Sequence, residues 1–156
     1  SGFDLYKRIS GIEKDTENLI PIVMETGLGI RKSVKIFGNS FNTKDGTGIR
    51  DYIHVTDLAD AHIKSLQYLY KKNENIIINL GTGHGYSVLE IINKVSDIIG
   101  EKIPYNIIEK RHGDPGIVIS KSGLAKKLIN WNPQNSDLET IIKTTWDIYK
   151  NYKVQQ

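Results

Sequence analysis

The sequence predicts an α/β fold, a small mixed sheet with helices, and three observations carry that prediction. Apolar stripes of helical period alternate with short apolar runs along the whole chain. Two of the helical stripes open on a Ser-x-x-Glu capping box, and polar, glycine-rich loops separate the runs. A length of 156 residues supports one hydrophobic core, and 38% hydrophobic with 25% charged residues is a globular balance.

In chain order, a first helix is expected from near Asn18, with Pro21 tolerated in its first turn and Gly27 or Gly29 near its end. A strand follows at residues 34–37, then a loop over residues 38–48 whose Asn39, Asn42 and Asp45 supply turn chemistry. Residues 50–55 read as extended. Thr56 or Asp57 is expected to cap a helix carrying Leu58, Ala61, Ser65, Leu66 and Leu69 on one face. Residues 76–80, apolar but for Asn79, are read as a strand buried on both sides. Beyond the loop 81–85, Ser87 and Glu90 open a helix with the stripe Val88, Ile91, Ile92, Val95 and Ile99, which Gly100 ends. Strands are expected at 103–108 and 117–119, and a short helix at 122–129. Trp131 and Pro133 mark a packed connection. A last helix opens on Ser136 and Glu139 and turns Leu138, Ile141, Ile142, Thr145 and Tyr149 to one side.

Composition excludes several classes of function. Without cysteine there is no disulfide, thiol nucleophile or thiolate metal site, which suits a reducing cytosol. The net charge is +3 and the lysines are scattered, the pattern of a solvated surface and not of a nucleic-acid face. The longest apolar run is too short for a bilayer, so no membrane partner is expected and a cytoplasmic protein is the default. Four histidines, His54, His62, His84 and His112, lack metal-binding spacing; His54 reads as an interior residue and His62 as a helix-surface one.

Among motifs, Gly81, Gly83 and Gly85 follow an apolar run and precede a helix, but the G-x-G-x-x-G spacing is absent, which favours a structural turn over a pyrophosphate cradle. Tyr-x-x-x-Lys, which sets a phenol and an ammonium on one helix face, occurs at Tyr68/Lys72 and Tyr149/Lys153; with eight tyrosines it arises by chance, and solvated helix ends are the expectation. Arg50 and Arg111, in glycine-flanked loops, stand out in a lysine-rich chain. They suit either a bidentate grip on phosphate or local salt bridges to the neighbouring aspartates.

The run Gly46-Thr-Gly-Ile-Arg-Asp-Tyr-Ile-His-Val-Thr-Asp-Leu-Ala-Asp60 resembles that of the UDP-glucose 4-epimerases, members of the extended short-chain dehydrogenase/reductase group. Asn18-Leu-Ile-Pro21, Ile36-Phe-Gly-Asn39, Asn79-Leu-Gly-Thr-Gly83, Gly85-Tyr-Ser-Val88, Arg111-His-Gly-Asp-Pro115 and Trp131-Asn-Pro133 extend the likeness in the family's order. The resemblance implies that residues 1–156 are a single C-terminal, UDP-sugar-binding domain of the NAD(P)-binding Rossmann superfamily. The N-terminal half, which in that family binds NAD and carries the catalytic tyrosine, is expected to be absent from the chain, leaving it inactive alone. It implies UDP-glucose and UDP-galactose as ligands and a homodimeric full-length protein.

By the same resemblance, Asn18 and Leu19 meet the diphosphate at a helix N-terminus, and Lys35 and Phe37 meet the uracil. Arg50 and Arg111 grip the diphosphate, and Asp114 binds the ribose. Val118, the fourth residue after that acid, falls where the family gates its sugar pocket. A small residue there implies admission of UDP-N-acetylhexosamines. Glu17 departs from the family's asparagine and is expected to point away from phosphate, and residues 3–15 are longer and more charged than is usual in the family and do not align with it. Two other readings stay open: part of a sibling nucleotide-sugar dehydratase, decarboxylase or reductase, and a non-catalytic UDP-sugar-binding module.

Overall fold

The computed structural model describes residues 1–9, 11–12 and 15–152. Its larger layer sets three helices, α1 (Leu19–Gly27), α3 (Val88–Ile99) and α5 (Leu138–Tyr152), on one another and on a two-stranded parallel sheet. That sheet pairs β1 (Val34–Phe37) with β4 (Tyr105–Ile108), Val34 opposite Tyr105. The expected stripes meet at its core: Ile91, Ile92 and Val95 from α3, and Ile141, Ile142, Thr145 and Tyr149 from α5, against Val23, Met24, Val34 and Ile36. Phe3 packs edge-on to Tyr149, with ring centroids 6.3 Å apart. Tyr149 is therefore interior and not the solvated helix end expected; its sequence partner Lys153 lies outside the described residues.

A second, smaller cluster joins α2 (Val55–Lys72) to α4 (Gly123–Ile129) through Ala61, Ala125, Ile129 and Trp131. Between the two clusters runs a three-stranded sheet. Its central strand β2 (Ile49–Arg50) pairs antiparallel with β3 (Tyr86–Ser87) and parallel with β5 (Ile117–Val118).

Three local expectations change. First, α2 is capped by His54, whose Nδ1 accepts the Thr56 N–H at 3.1 Å. Asp57, expected as a cap, is buried and holds the far connection instead. Its carboxylate accepts from Asn135 N, Asn135 Nδ2 and Ser136 Oγ at 2.8, 2.8 and 2.5 Å, and its carbonyl from Trp131 Nε1 at 2.9 Å. Second, Ser136 is consumed in that network, so no Ser136/Glu139 capping box forms. The first turn of α5 is held by Asp137, which accepts from Thr140 N at 2.9 Å, while Glu139 bridges Lys94 and Lys143. The Ser87/Glu90 box does form, and Gly100 ends α3 in a left-handed turn. Third, residues 76–80 form no strand among the described residues. Ile76, Ile78 and Leu80 lean on the smaller cluster, and Ile77 is 95% exposed. The Ile76-Ile77-Ile78 triplet fits two buried faces, but Asn79 breaks the run and this fold covers one face only in part.

The loop 38–48 closes on itself at Gly46. Its φ of +78° belongs to glycine, and a Cβ there would stand 2.1 Å from the Asn39 carbonyl oxygen. Asp45 ties the loop to Ser87 at the head of α3 and to Thr47.

His54 is fully buried. Because Nδ1 accepts from Thr56, the ring proton sits on Nε2 and points at Thr144 Oγ1, 3.2 Å away. The Thr144 hydroxyl in turn donates to Thr140 O at 2.8 Å. Burial holds the imidazole below its ordinary pKa of 6.5, against the opposing pull of Asp57, Asp137 and Asp4 and with that of the Ser1 amine. The folded state thus binds this proton more weakly than the unfolded chain, so stability is full above about pH 6.5 and falls as pH drops below it. The thermal midpoint is expected to decline from pH 7 to pH 5.5, before carboxylates titrate. His54→Asn, whose Oδ1 keeps the cap acceptor, should flatten that decline in a pH series of melts.

Candidate functional site

A cleft of about 640 Å³ opens between the start of α1, the outer face of β1 and the loops flanking β2 and β5. Nucleotide-sized pockets fall in the range of about 300–1,000 Å³. Strand alternation sets its floor. Val34 and Ile36 point into the core, so Lys35 and Phe37 face the cleft. At one end stands Asn18, the N-cap residue of α1. Its side chain makes no capping bond, so its amide is left for the cleft, with Leu19 beside it.

The other end is built by β2 and β5. Their parallel register puts Ile49 opposite Ile117 and Arg50 opposite Val118, with Ile49 N donating to Gly116 O at 2.7 Å. The loop entering β5 thereby carries Asp114 to Arg50, and Arg50 Nη2 donates to Asp114 Oδ1 at 2.7 Å while Nη1 donates to its own strand at Ile49 O, 2.8 Å. Arg111 follows β4 closely in sequence, and its guanidinium carbon lies 3.8 Å from the centroid of the Phe37 ring on β1. Neither arginine takes the neighbouring aspartate that local pairing would have given it. The structure brings Asn18, Leu19, Lys35, Phe37, Arg50, Arg111 and Asp114 to this cleft. Val118 is not among its lining residues and stands 47% exposed on β5, beside Arg50 in the ladder.

Other lining residues were not singled out from sequence. Tyr52 lies two residues beyond Arg50, and extended-chain alternation is the signal that would have placed it on the same side. Its burial raises the phenol's pKa above the ordinary value of 10.0, opposed by Arg50. Phe41 comes from the fold of loop 38–48, which no spacing rule announces. Arg31 is held by Glu25 and by the Thr16 carbonyl at 3.1 Å, and so buttresses the α1 end. Glu17, expected to point away, lines the cleft; it is exposed, where water screens its carboxylate.

Asp51 holds the assembly in place without lining the cleft. Its Oδ1 accepts from Thr82 N and Thr82 Oγ1 at 3.0 and 2.7 Å, and its Oδ2 from Gly83 N and Ser120 N at 3.1 and 3.2 Å. The glycine loop 81–85 is therefore a structural turn. Its N–H groups point inward at a carboxylate, and His84 N is taken by Thr82 Oγ1 at 3.0 Å. With Thr82 N, Gly83 N and His84 N already taken, this loop does not fit the pyrophosphate of a dinucleotide. Among the described residues no three His, Asp or Glu side chains gather as a metal site, and no helix is long and apolar enough to cross a membrane.

Residues 9–81 match the NAD dependent epimerase/dehydratase family. A UDP-glucose 4-epimerase of Lacticaseibacillus casei is 40% identical over 135 residues, 86% of this chain and 41% of that protein. The chain is similar to UDP-glucose 4-epimerases over part of their length. Among solved structures, the Bifidobacterium longum UDP-glucose 4-epimerase in complex with NAD+ and UDP superposes with a TM-score of 0.79 at 34% identity, covering 87% of this chain and 40% of that one. The UDP-Glc/GlcNAc 4-epimerase of Campylobacter jejuni gives 0.77 at 38% identity, covering 96% and 45%. The chain thus spans less than half the length of the epimerases it matches.

Asp51→Asn would turn an amide donor toward two N–H donors, from Gly83 and Ser120. A loss of about 1–3 kcal/mol is expected in urea unfolding, with hydrogen exchange accelerated first at residues 82, 83 and 120.

Proposed function

We propose that this chain is the substrate-holding part of a UDP-glucose 4-epimerase that interconverts UDP-glucose and UDP-galactose, and that the cleft takes the UDP. The observation that carries the reading is the gathering of Phe37, Arg50, and the Arg111 and Asp114 of one loop about one opening, from three segments far apart in sequence. Two guanidinium forks suit the two phosphates of a diphosphate, an arrangement a single ammonium cannot reproduce. An aromatic face suits a base, and a carboxylate suits vicinal ribose hydroxyls. Lys35 and the N-terminus of α1, with Asn18 and Leu19, add positive potential at the cleft's other end.

In this reading the chain's work is anchorage. Charge-assisted bonds fix the nucleotide, which leaves the hexose held only through its phosphate linkage and free to turn. Binding energy gathered at the diphosphate then supports reaction at a carbon these residues do not touch. NAD, which supplies hydride chemistry in this family, does not fit the 81–85 loop, and we assign it to a further part of the protein. Leu66 and Ile77, 55% and 95% exposed, belong to an apolar face of α2 and residues 76–80 that such a part would cover. The likeness to an epimerase named for both UDP-Glc and UDP-GlcNAc supports admission of N-acetylated sugars also, with Val118 at the gate.

Calorimetry on the chain with UDP tests the anchorage. Binding is expected, and Arg50→Lys should weaken it about tenfold by removing the fork; no heat at millimolar UDP would remove the reading. The intact protein, supplied with NAD, should convert UDP-galactose to UDP-glucose and turn over UDP-GlcNAc. Brisk conversion of the first with none of the second would withdraw the role given to Val118.

A further inference from the structure

The two arginines assigned to the diphosphate do not stand ready for it. Each rests on a group assigned to the nucleoside: Arg50 on the Asp114 carboxylate at 2.7 Å, Arg111 on the Phe37 ring at 3.8 Å. Both contacts lie in the same cleft. A guanidinium at that distance covers the ring face, so no second planar group stacks there while it stays. Asp114 Oδ1 is likewise engaged as the acceptor of Arg50 Nη2.

We propose that Phe37 and Asp114 determine the site's preference for a nucleoside diphosphate over a nucleoside, by holding Arg111 and Arg50 until an anion takes them away. This rests on the proposed UDP site and deepens it. Both holds are of a kind an anion can displace. The ion pair is about one-third exposed on each side, at 31% and 30%, and such pairs contribute little against water. A diphosphate offers each guanidinium a doubly bonded, charge-assisted partner, which is the stronger contact. As the arginines transfer, the ring face and the carboxylate are uncovered together, and base and ribose find their places. Uridine alone carries no anion: to stack on Phe37 it must displace Arg111 with nothing to receive it, and it meets an Asp114 whose charge stays shared with Arg50. Recognition of the two halves of the ligand is thereby coupled through four side chains, with no movement of the fold.

The test is calorimetry of the 156-residue chain with inorganic pyrophosphate, uridine and UDP. Phe37→Leu, which keeps an apolar side chain but gives up the ring, should tighten pyrophosphate binding about threefold while weakening uridine. A residue that only met the base would leave pyrophosphate unmoved. Asp114→Asn should tighten pyrophosphate by about three- to fivefold. Glu17→Gln is the control: it removes one negative charge from the same cleft without freeing an arginine, and its gain should be smaller. A measurement on the unaltered chain runs beside these. The side-chain signals of Arg111, shifted upfield by the Phe37 ring, should move to unshifted positions when pyrophosphate alone is added. Equal pyrophosphate affinity in Phe37→Leu and wild type, equal gains in Asp114→Asn and Glu17→Gln, or an unmoved Arg111 signal at saturation would each overturn the exchange while UDP binding stood. A wild-type chain that binds neither UDP nor pyrophosphate would overturn the UDP site as well.

Discussion

The cleft depends on a two-residue strand. β2 is the only strand of its sheet with a neighbour on both sides, and its next residue, Asp51, accepts four hydrogen bonds from two other segments. Those bonds fix the 81–85 turn and the exit from β5 relative to Arg50. They add to the two-residue ladder and the Arg50–Asp114 ion pair that hold the loop bearing Asp114. The acid beside the cleft arginine works on the scaffold, and the acid that pairs with the arginine comes from 64 residues further along. This division lets a charged group be held rigidly without its neighbour neutralising it.

The elements legible in the sequence were those whose signal is local. Strand 34–37, the capped helix from Ser87, the apolar stripe of α5 and the N-terminus at Asn18 each follow from spacing over a few residues. What failed was decided at long range. Asp57 has the right chemistry to cap its own helix but is drawn to Asn135 and Ser136, and His54 takes the cap instead. Residues 76–80, apolar but for Asn79, suit a doubly buried strand, and the fold covers one face of them only in part. Tyr149 sits at helical spacing from a lysine, yet Phe3 at the opposite end of the chain encloses it.

The site shows the same division. Lys35 and Phe37 share a face by simple alternation once β1 is placed. The conjunction of Arg50 with Asp114 needs the parallel register of β2 and β5, and the stacking of Arg111 on Phe37 needs β1 beside β4. Neither pairing is visible in periodicity. Motif order carried the family, which is why the resemblance located residues that spacing left open. It was least informative at Glu17, where the chain departs from the pattern it otherwise follows.

The parallel pairing of β1 with β4 and of β2 with β5 also bears on how the molecule is made. Val34 finds Tyr105, and Ile49 finds Ile117, only after most of the intervening chain has been synthesised and gathered. Such loops must be closed before any contact rewards them, and topologies of this kind fold slowly. The helical stripes can assemble early. The Arg50–Asp114 and Arg111–Phe37 contacts of the cleft both cross these pairings, so they can form only once the pairings have closed.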